Sequence, residues 1–208
     1  DAQSGLPVYR TPQGNFTTDY DNSIRNYVGN GLPKMMGGLT QTFGWKNFSL
    51  SALFTYSLGA RIFDSSAKRQ LGVVSSWNMR QEILDRWTAP GDQSTFGRLT
   101  LDETTYGLPD GFPWWNTSLF MYKASYMRLR NLALNYTFPN EVTKRMKMTG
   151  LNIGVSVTNL FTITNFPGLD PEVVRDFENA QDRNLSPNVT YLTPMQERSF
   201  NIRLNANF

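Results

Sequence analysis

The sequence predicts an all-β chain, an antiparallel transmembrane β-barrel portion of five strands, on three observations. The first is the chain end. Phe200, Ile202, Leu204, Ala206 and Phe208 fall on one face, and Ser199, Asn201, Arg203, Asn205 and Asn207 on the other. A period of two means a strand. A soluble sandwich shows the same alternation, so the terminal aromatic decides, because bacterial outer-membrane barrels close on such a strand. The second observation is that four further segments repeat the pattern. The third is an alternation of short and long connections, as in barrels with short periplasmic turns and long outer loops.

Strands are expected at 38–45, 48–59, 124–138, 151–163 and 197–208. In the first, Leu39, Phe43 and Trp45 share a face that Gln41 interrupts. The second sets Phe48, Leu50, Ala52, Phe54, Tyr56 and Leu58 against Ser49, Ser51, Leu53, Thr55 and Ser57. Lys46-Asn47 between them makes a two-residue hairpin turn, with a positive φ expected at Asn47. In the third, Leu132, Leu134, Tyr136 and Phe138 line up, while Met127 and Leu129 lie in the opposite phase. Either a bulge sits near Arg130-Asn131 or the strand leaves the membrane there. After Pro139 a basic turn with Lys144, Arg145 and Lys147 leads to the fourth strand. There Leu151, Ile153, Val155, Val157, Phe161 and Ile163 oppose Asn152, Gly154, Ser156, Thr158 and Thr162. Each strand is near the ~9–11 residues that cross a bilayer at a tilt.

The long connections are 60–122 and 164–196, and loops of that length usually mark function. Strand parity then puts residues 1–37 in an outer loop and the barrel strands in 38–208. Five strands cannot close, since the smallest barrels need about eight. Bare sheet edges in lipid leave backbone groups unsatisfied. The chain is therefore expected to be the carboxy-terminal part of a larger barrel, pairing with strands from elsewhere.

Composition narrows the chemistry. Hydrophobic residues are 39% of the 208, and the mean hydropathy is −0.42. No segment has the ~18 apolar residues of a spanning helix, but polar lumen residues dilute the hydropathy of any barrel. Aromatics are 13%, which suits interfacial girdles. A net charge of +3 without a basic run gives nucleic acid no support as a partner. Cys and His are both absent. That removes disulfides, the usual zinc sites and nucleophile–His catalysis, while catalysis by paired carboxylates stays possible on chemistry alone; no catalytic residue, metal site or cofactor is assigned to the chain.

Five motifs, in order, carry a family resemblance. They are Gly31-Leu32-Pro33-Lys34 with Gly37-Gly38 and Thr42–Leu50, then Arg86-Trp87-Thr88-Ala89-Pro90-Gly91-Asp92, then Ala124–Leu132. Asn159-Leu160-Phe161-Thr162 and Gly168-Leu169-Asp170-Pro171-Glu172 complete the set. Over about residues 30–208 the chain resembles the carboxy-terminal barrel of SusC/RagA-type TonB-dependent transporters. The resemblance implies a plugged barrel of about 22 strands in a Bacteroidetes-type outer membrane. It also implies energy from TonB and a SusD-like lipoprotein over the outer mouth, with oligosaccharides or oligopeptides as cargo. The alternative is a surface binding or adhesion barrel without active transport.

Trp114, Trp115 and Phe112, with Tyr122, are candidate substrate or partner contacts, because flat rings stack on sugars, pack on partners or mark a membrane interface. Trp87 joins them at the end of a helix expected over 75–87, capped by Ser75 or Ser76, where packing of the loop competes with binding. Phe200, Ile202, Leu204 and Phe208 are the outer-membrane insertion signal that the resemblance implies. Asp170 and Glu172 are too close in sequence to flank a glycosidic bond. Two acids also fall short of the about six to eight oxygens of calcium, so a turn is expected there. Asp19, Asp21 and Asn22 are too few for the same reason.

Overall fold

The computed structural model describes residues 1–71, 78–100, 117–172, 188–191 and 193–208. The chain divides into two compact units. One comprises 30–61, 123–173 and 193–208 and holds a five-stranded sheet. The other comprises 1–29, 62–122 and 174–192.

The sheet is an antiparallel meander of β3 (Met35–Trp45), β4 (Phe48–Leu58), β7 (Tyr126–Thr137), β8 (Gly150–Thr164) and β10 (Ser199–Asn207), neighbours in sequence order. These are the five expected strands, with the first beginning earlier, at Met35, and the last ending one residue short of Phe208. Trp45 pairs with Phe48, so Lys46-Asn47 is the two-residue turn. The positive φ falls on Lys46, at 52°, and not on Asn47 as expected. Asn47 is otherwise engaged. Its side-chain amide donates to the Thr137 carbonyl at 2.7 Å and its carbonyl accepts from the Thr137 amide at 2.9 Å.

The phase switch in β7 is a bulge. Between β4 and β7 the register runs Leu53↔Asn131, then Phe54↔Leu129, leaving Arg130 as an extra residue. Between β7 and β8 it runs Asn131↔Thr158, then Leu129↔Phe161, so Asn159 and Leu160 stand against Arg130. Asn159 takes φ 52° there, a left-handed conformation that Asn tolerates. The bulge keeps the apolar row on one side. Rows run Phe43–Leu50–Leu134–Val155–Ile202 and Leu39–Phe54–Leu129–Phe161 across the strands. Leu129 and Leu151 are buried, but Phe43 is 61% exposed, Val155 45% and Ile202 79%. A sandwich would bury these side chains in a dry core, and Phe43, Val155 and Ile202 are exposed instead.

At the short-turn end three rings on three strands, with a fourth just after β7, form a ladder. Trp45 stacks on Phe48 with centroids 6.2 Å apart, Phe48 lies 4.6 Å from Tyr136, and Tyr136 meets Phe138 edge-on at 4.9 Å. The expected basic turn after Pro139 contains a short helix, α2 (Asn140–Arg145), with Lys144 and Arg145 in its last turn, where cations suit the helix dipole.

The second unit shows that 60–122 is no plain loop. It has β5 (Arg61–Asp64) between β6 (Met121–Lys123) and β9 (Val189–Thr190), a hairpin of β1 (Tyr9–Arg10) and β2 (Phe16–Thr17), and helix α1 (Ser65–Gln70). Ala67, Leu71, Ile83, Phe96 and Phe120 form its core. The Asp64 carboxylate caps α1 by accepting from the Ser66 and Ala67 amides, both at 3.0 Å, and pairs with Arg80 at 2.9 Å. That pairing corrects the helix expected over 75–87. Ser75 and Ser76 lie outside the described residues, and Arg80 is extended because Asp64 and Gln70 hold its side chain. Among the described residues of that stretch, 78–87, Gln81–Leu84 coils, as a 3₁₀ turn.

Candidate functional site: the polar wall and its arginine clamp

Opposite the apolar row, the sheet presents Ser, Thr, Asn and Gly, with two arginines from β7. Arg128 is 3% exposed. Each nitrogen of its guanidinium donates: Nε to Thr162 Oγ1 at 2.8 Å, Nη2 to Asp170 Oδ1 at 2.6 Å and Nη1 to Glu172 Oε2 at 2.9 Å. Arg130 reaches Glu172 with Nη2, at 2.5 and 2.7 Å to its two oxygens, and donates from Nη1 to Asn159 Oδ1 at 3.1 Å and to Gln196 Oε1. The bulge serves this geometry, because it lets Arg128 and Arg130 both reach Glu172 on the polar side while Asn131 opposite Leu53 and Leu132 opposite Ala52 stay in phase with the two faces.

Asp170 is the hub. Oδ1 also accepts from the Glu172 amide at 2.9 Å, and Oδ2 from the Gln196 amide at 3.2 Å. Burial works to raise its pKa, but the Arg128 hydrogen bond and the two backbone amides outweigh it and hold the carboxyl below its ordinary value. The Asn159 amide adds a bond to the Glu197 carbonyl at 2.9 Å. Two segments of the long connection, 165–172 and 193–197, are thereby fastened to the polar face. The Asp170-Pro171-Glu172 stretch expected to be a turn is an anchor whose carboxylates serve arginines. Such buried pairs contribute little net stability, since desolvation offsets attraction; their effect is to specify one arrangement.

Trp87 is half-buried. Its indole N–H donates to the Ala2 carbonyl at 2.8 Å, and a Cβ on Gly5 (φ +69°) would lie 2.6 Å from the ring. It pins the 1–7 segment. Beside it, Asp92 Oδ2 closes the Thr88–Asp92 turn by accepting from the Thr88 and Ala89 amides, both at 2.9 Å, and from the Thr88 hydroxyl. The Thr88 bonds and the Ala89 amide lower the Asp92 pKa. Within the same unit an open cavity is lined by Tyr9, Tyr20, Arg10, Arg25, Trp87 and Asp92 among others, with the tyrosine rings edge-to-face at 5.4 Å.

Of the other residues singled out in the sequence, Trp114, Trp115 and Phe112 lie outside the described residues. Tyr122 sits in β6, and burial pushes its phenol pKa up, with Asp64 adding to the shift. Phe200, Ile202 and Leu204 stand on the exposed apolar row of β10, and Phe208, 84% exposed, follows the strand. Asp19 accepts from the Asp21 amide and the Asn22 side chain, a local turn. Sequence reasoning missed the arginine clamp. Its signal was an Arg at the parity switch, two residues from another Arg, in a strand otherwise free of charge.

No protein-family model matches the chain. TonB-dependent receptor P3 of Formosa agariphila is 25% identical over 208 residues, 100% of this chain and 19% of that protein. TonB-dependent receptor P39 of the same organism is 28% identical over 174 residues, 82% of this chain and 16% of the relative. TonB-dependent receptor SusC of Bacteroides thetaiotaomicron is 26% identical over 137 residues, 65% of this chain and 12% of SusC. Among solved structures, the RagAB peptide transporter matches with a TM-score of 0.66 at 22% identity, over 82% of this chain and 19% of that one. The chain thus spans about a fifth of the length of its relatives. It is homologous to TonB-dependent receptors, SusC among them, which are outer-membrane β-barrel proteins, and its fold matches part of the RagAB transporter.

Proposed function

We propose that the chain is carboxy-terminal wall of a TonB-dependent nutrient importer, lining the passage for oligosaccharides or oligopeptides captured with a SusD-like lipoprotein. The observation that supports this best is the two-faced sheet. One side is an unbroken apolar row across five strands, and the other is polar and holds the Arg128–Asp170 clamp. A wall between lipid and a wet lumen requires that division. The remaining strands, to about 22, and the plug would come from the rest of the protein. Its action is binding and gating, without covalent chemistry. The named relatives are receptors, and the matched structure is a transporter.

Uptake by cells carrying the whole protein tests the reading. Labelled oligosaccharide and oligopeptide pools should enter only when the protein, its lipoprotein partner and TonB are all present. Surface binding that persists without TonB, with no entry, would favour an adhesion barrel instead.

A further inference from the structure

The short-connection end of the sheet carries features that a passage through the barrel does not use. Lys46, Lys144, Arg145 and Lys147 gather there on two adjacent turns, tied together by the Asn47–Thr137 bonds. Among the described residues none of the four is ion-paired, and Lys46 Nζ lies 5.0 Å from the centroid of the Trp45 ring. One carboxylate, Glu141, shares the α2 turn with them.

Helix α2 is fixed in orientation. Thr143 is 1% exposed, its hydroxyl donates to the Asn140 carbonyl at 3.2 Å, and its carbonyl accepts the Met146 and Met148 amides at 3.0 and 2.9 Å. Val142 and Met146, one turn apart, are left outward at 40% and 50% exposure. Exposed apolar residues flanked by unpaired cations, next to a ladder of Trp45, Phe48, Tyr136 and Phe138, make the pattern of a surface lying in the headgroup layer.

We propose that this end is a docking surface for anionic phospholipid headgroups of the inner leaflet, with Lys46, Lys144, Arg145 and Lys147 as the cations and Val142 and Met146 seated at the acyl boundary. The inference rests on the barrel reading, in which short connections face the periplasm. Charge complementarity selects the occupant: four cations against one acid suit a phosphate layer and would repel a basic partner. A solvated basic turn would have no use for Val142 and Met146 outward.

The test uses the whole protein reconstituted in vesicles of phosphatidylethanolamine with or without phosphatidylglycerol, then extracted in mild detergent, with retained lipid read by native mass spectrometry. The wild type should keep phosphatidylglycerol preferentially. Each neutralised cation is worth about fivefold in retention, so K46Q/K144Q/R145Q/K147Q should lose about several hundredfold. R203Q, in the polar row of β10, should lose nothing. V142S/M146S should weaken retention of both lipids alike. Equal retention of phosphatidylglycerol by wild type and the quadruple variant overturns the site while leaving the barrel intact. Failure of the wild type to insert in either vesicle sinks the barrel reading and the site with it.

Discussion

Arg130 and Asn159 face one another across β7 and β8 at 3.1 Å, and both belong to the residues that interrupt the regular ladder. The break in the sheet and the polar site on its wall are one feature. Asn159 absorbs the backbone irregularity with a left-handed φ and uses its side chain to orient Arg130 and hold the Glu197 carbonyl. Asn159→Val should therefore disturb both at once. The expected readout is faster hydrogen exchange in 193–197 and a lower Tm, with Asn159→Gly restoring backbone tolerance but not the clamp.

Removing one half of the clamp leaves a buried charge without its partner, which costs about 3–5 kcal/mol. Arg128→Met should show this in thermal unfolding of the assembled protein, and R128M/D170L should recover part of it. A double variant as damaged as the sum of the two singles would mean that Arg128 and Asp170 are energetically independent.

The pH dependence follows from Asp170. Its folded pKa lies below the unfolded one, so its stabilisation is complete above the unfolded value of about 3.9 and is lost as pH falls through the depressed folded value. Proteolysis of 165–172 should stay slow from neutral pH down to mildly acidic conditions and accelerate only below the ordinary carboxylate range. Asp170→Asn should be fast throughout and lack the transition.

The two faces of the sheet should respond oppositely to charge. Ala52→Arg or Val155→Arg, on the apolar row, should cost about 2–4 kcal/mol, whereas Ser51→Arg or Ser156→Arg, opposite, should be tolerated. Comparable losses of folded protein at both kinds of position would contradict a lipid–lumen division.

Phe208→Ala should reduce the amount of heat-modifiable, assembled protein in the outer membrane, because the apolar row of β10 ends on that ring, itself 84% exposed. Trp87→Ala should leave assembly intact and instead free the 1–7 segment to protease, since it loses the Ala2 bond and the ring over Gly5.

The strands were legible because half-buried strands repeat with period two, and Phe48–Leu58 or Leu151–Ile163 need no tertiary information to be recognised. The phase change at Leu129 and Leu132 even located the bulge. What the sequence concealed depends on contacts between distant residues. Arg80 would suit a helix, but Asp64 and Gln70 pull it out. Asp170 and Glu172 look like a turn until Arg128 and Arg130, some forty residues earlier, are seen to meet them. The same limit hid the folded unit inside 60–122, whose core joins Ala67 to Phe120.

Counting from β4 to β8, the chain acquires its additional residues stepwise: none in β4, Arg130 in β7, Asn159 and Leu160 in β8. Loss of Arg130 alone would therefore leave a plain ladder between β4 and β7, with Leu129 still opposite Phe54 and Arg128 still opposite Thr55, and would remove only the guanidinium that holds Glu172, Asn159 and Gln196. A deletion at that one position would spare the division between the two faces and unfasten the 193–197 segment from the wall, whereas a deletion at Leu132 or Leu134, where no extra residue is carried, would exchange the faces.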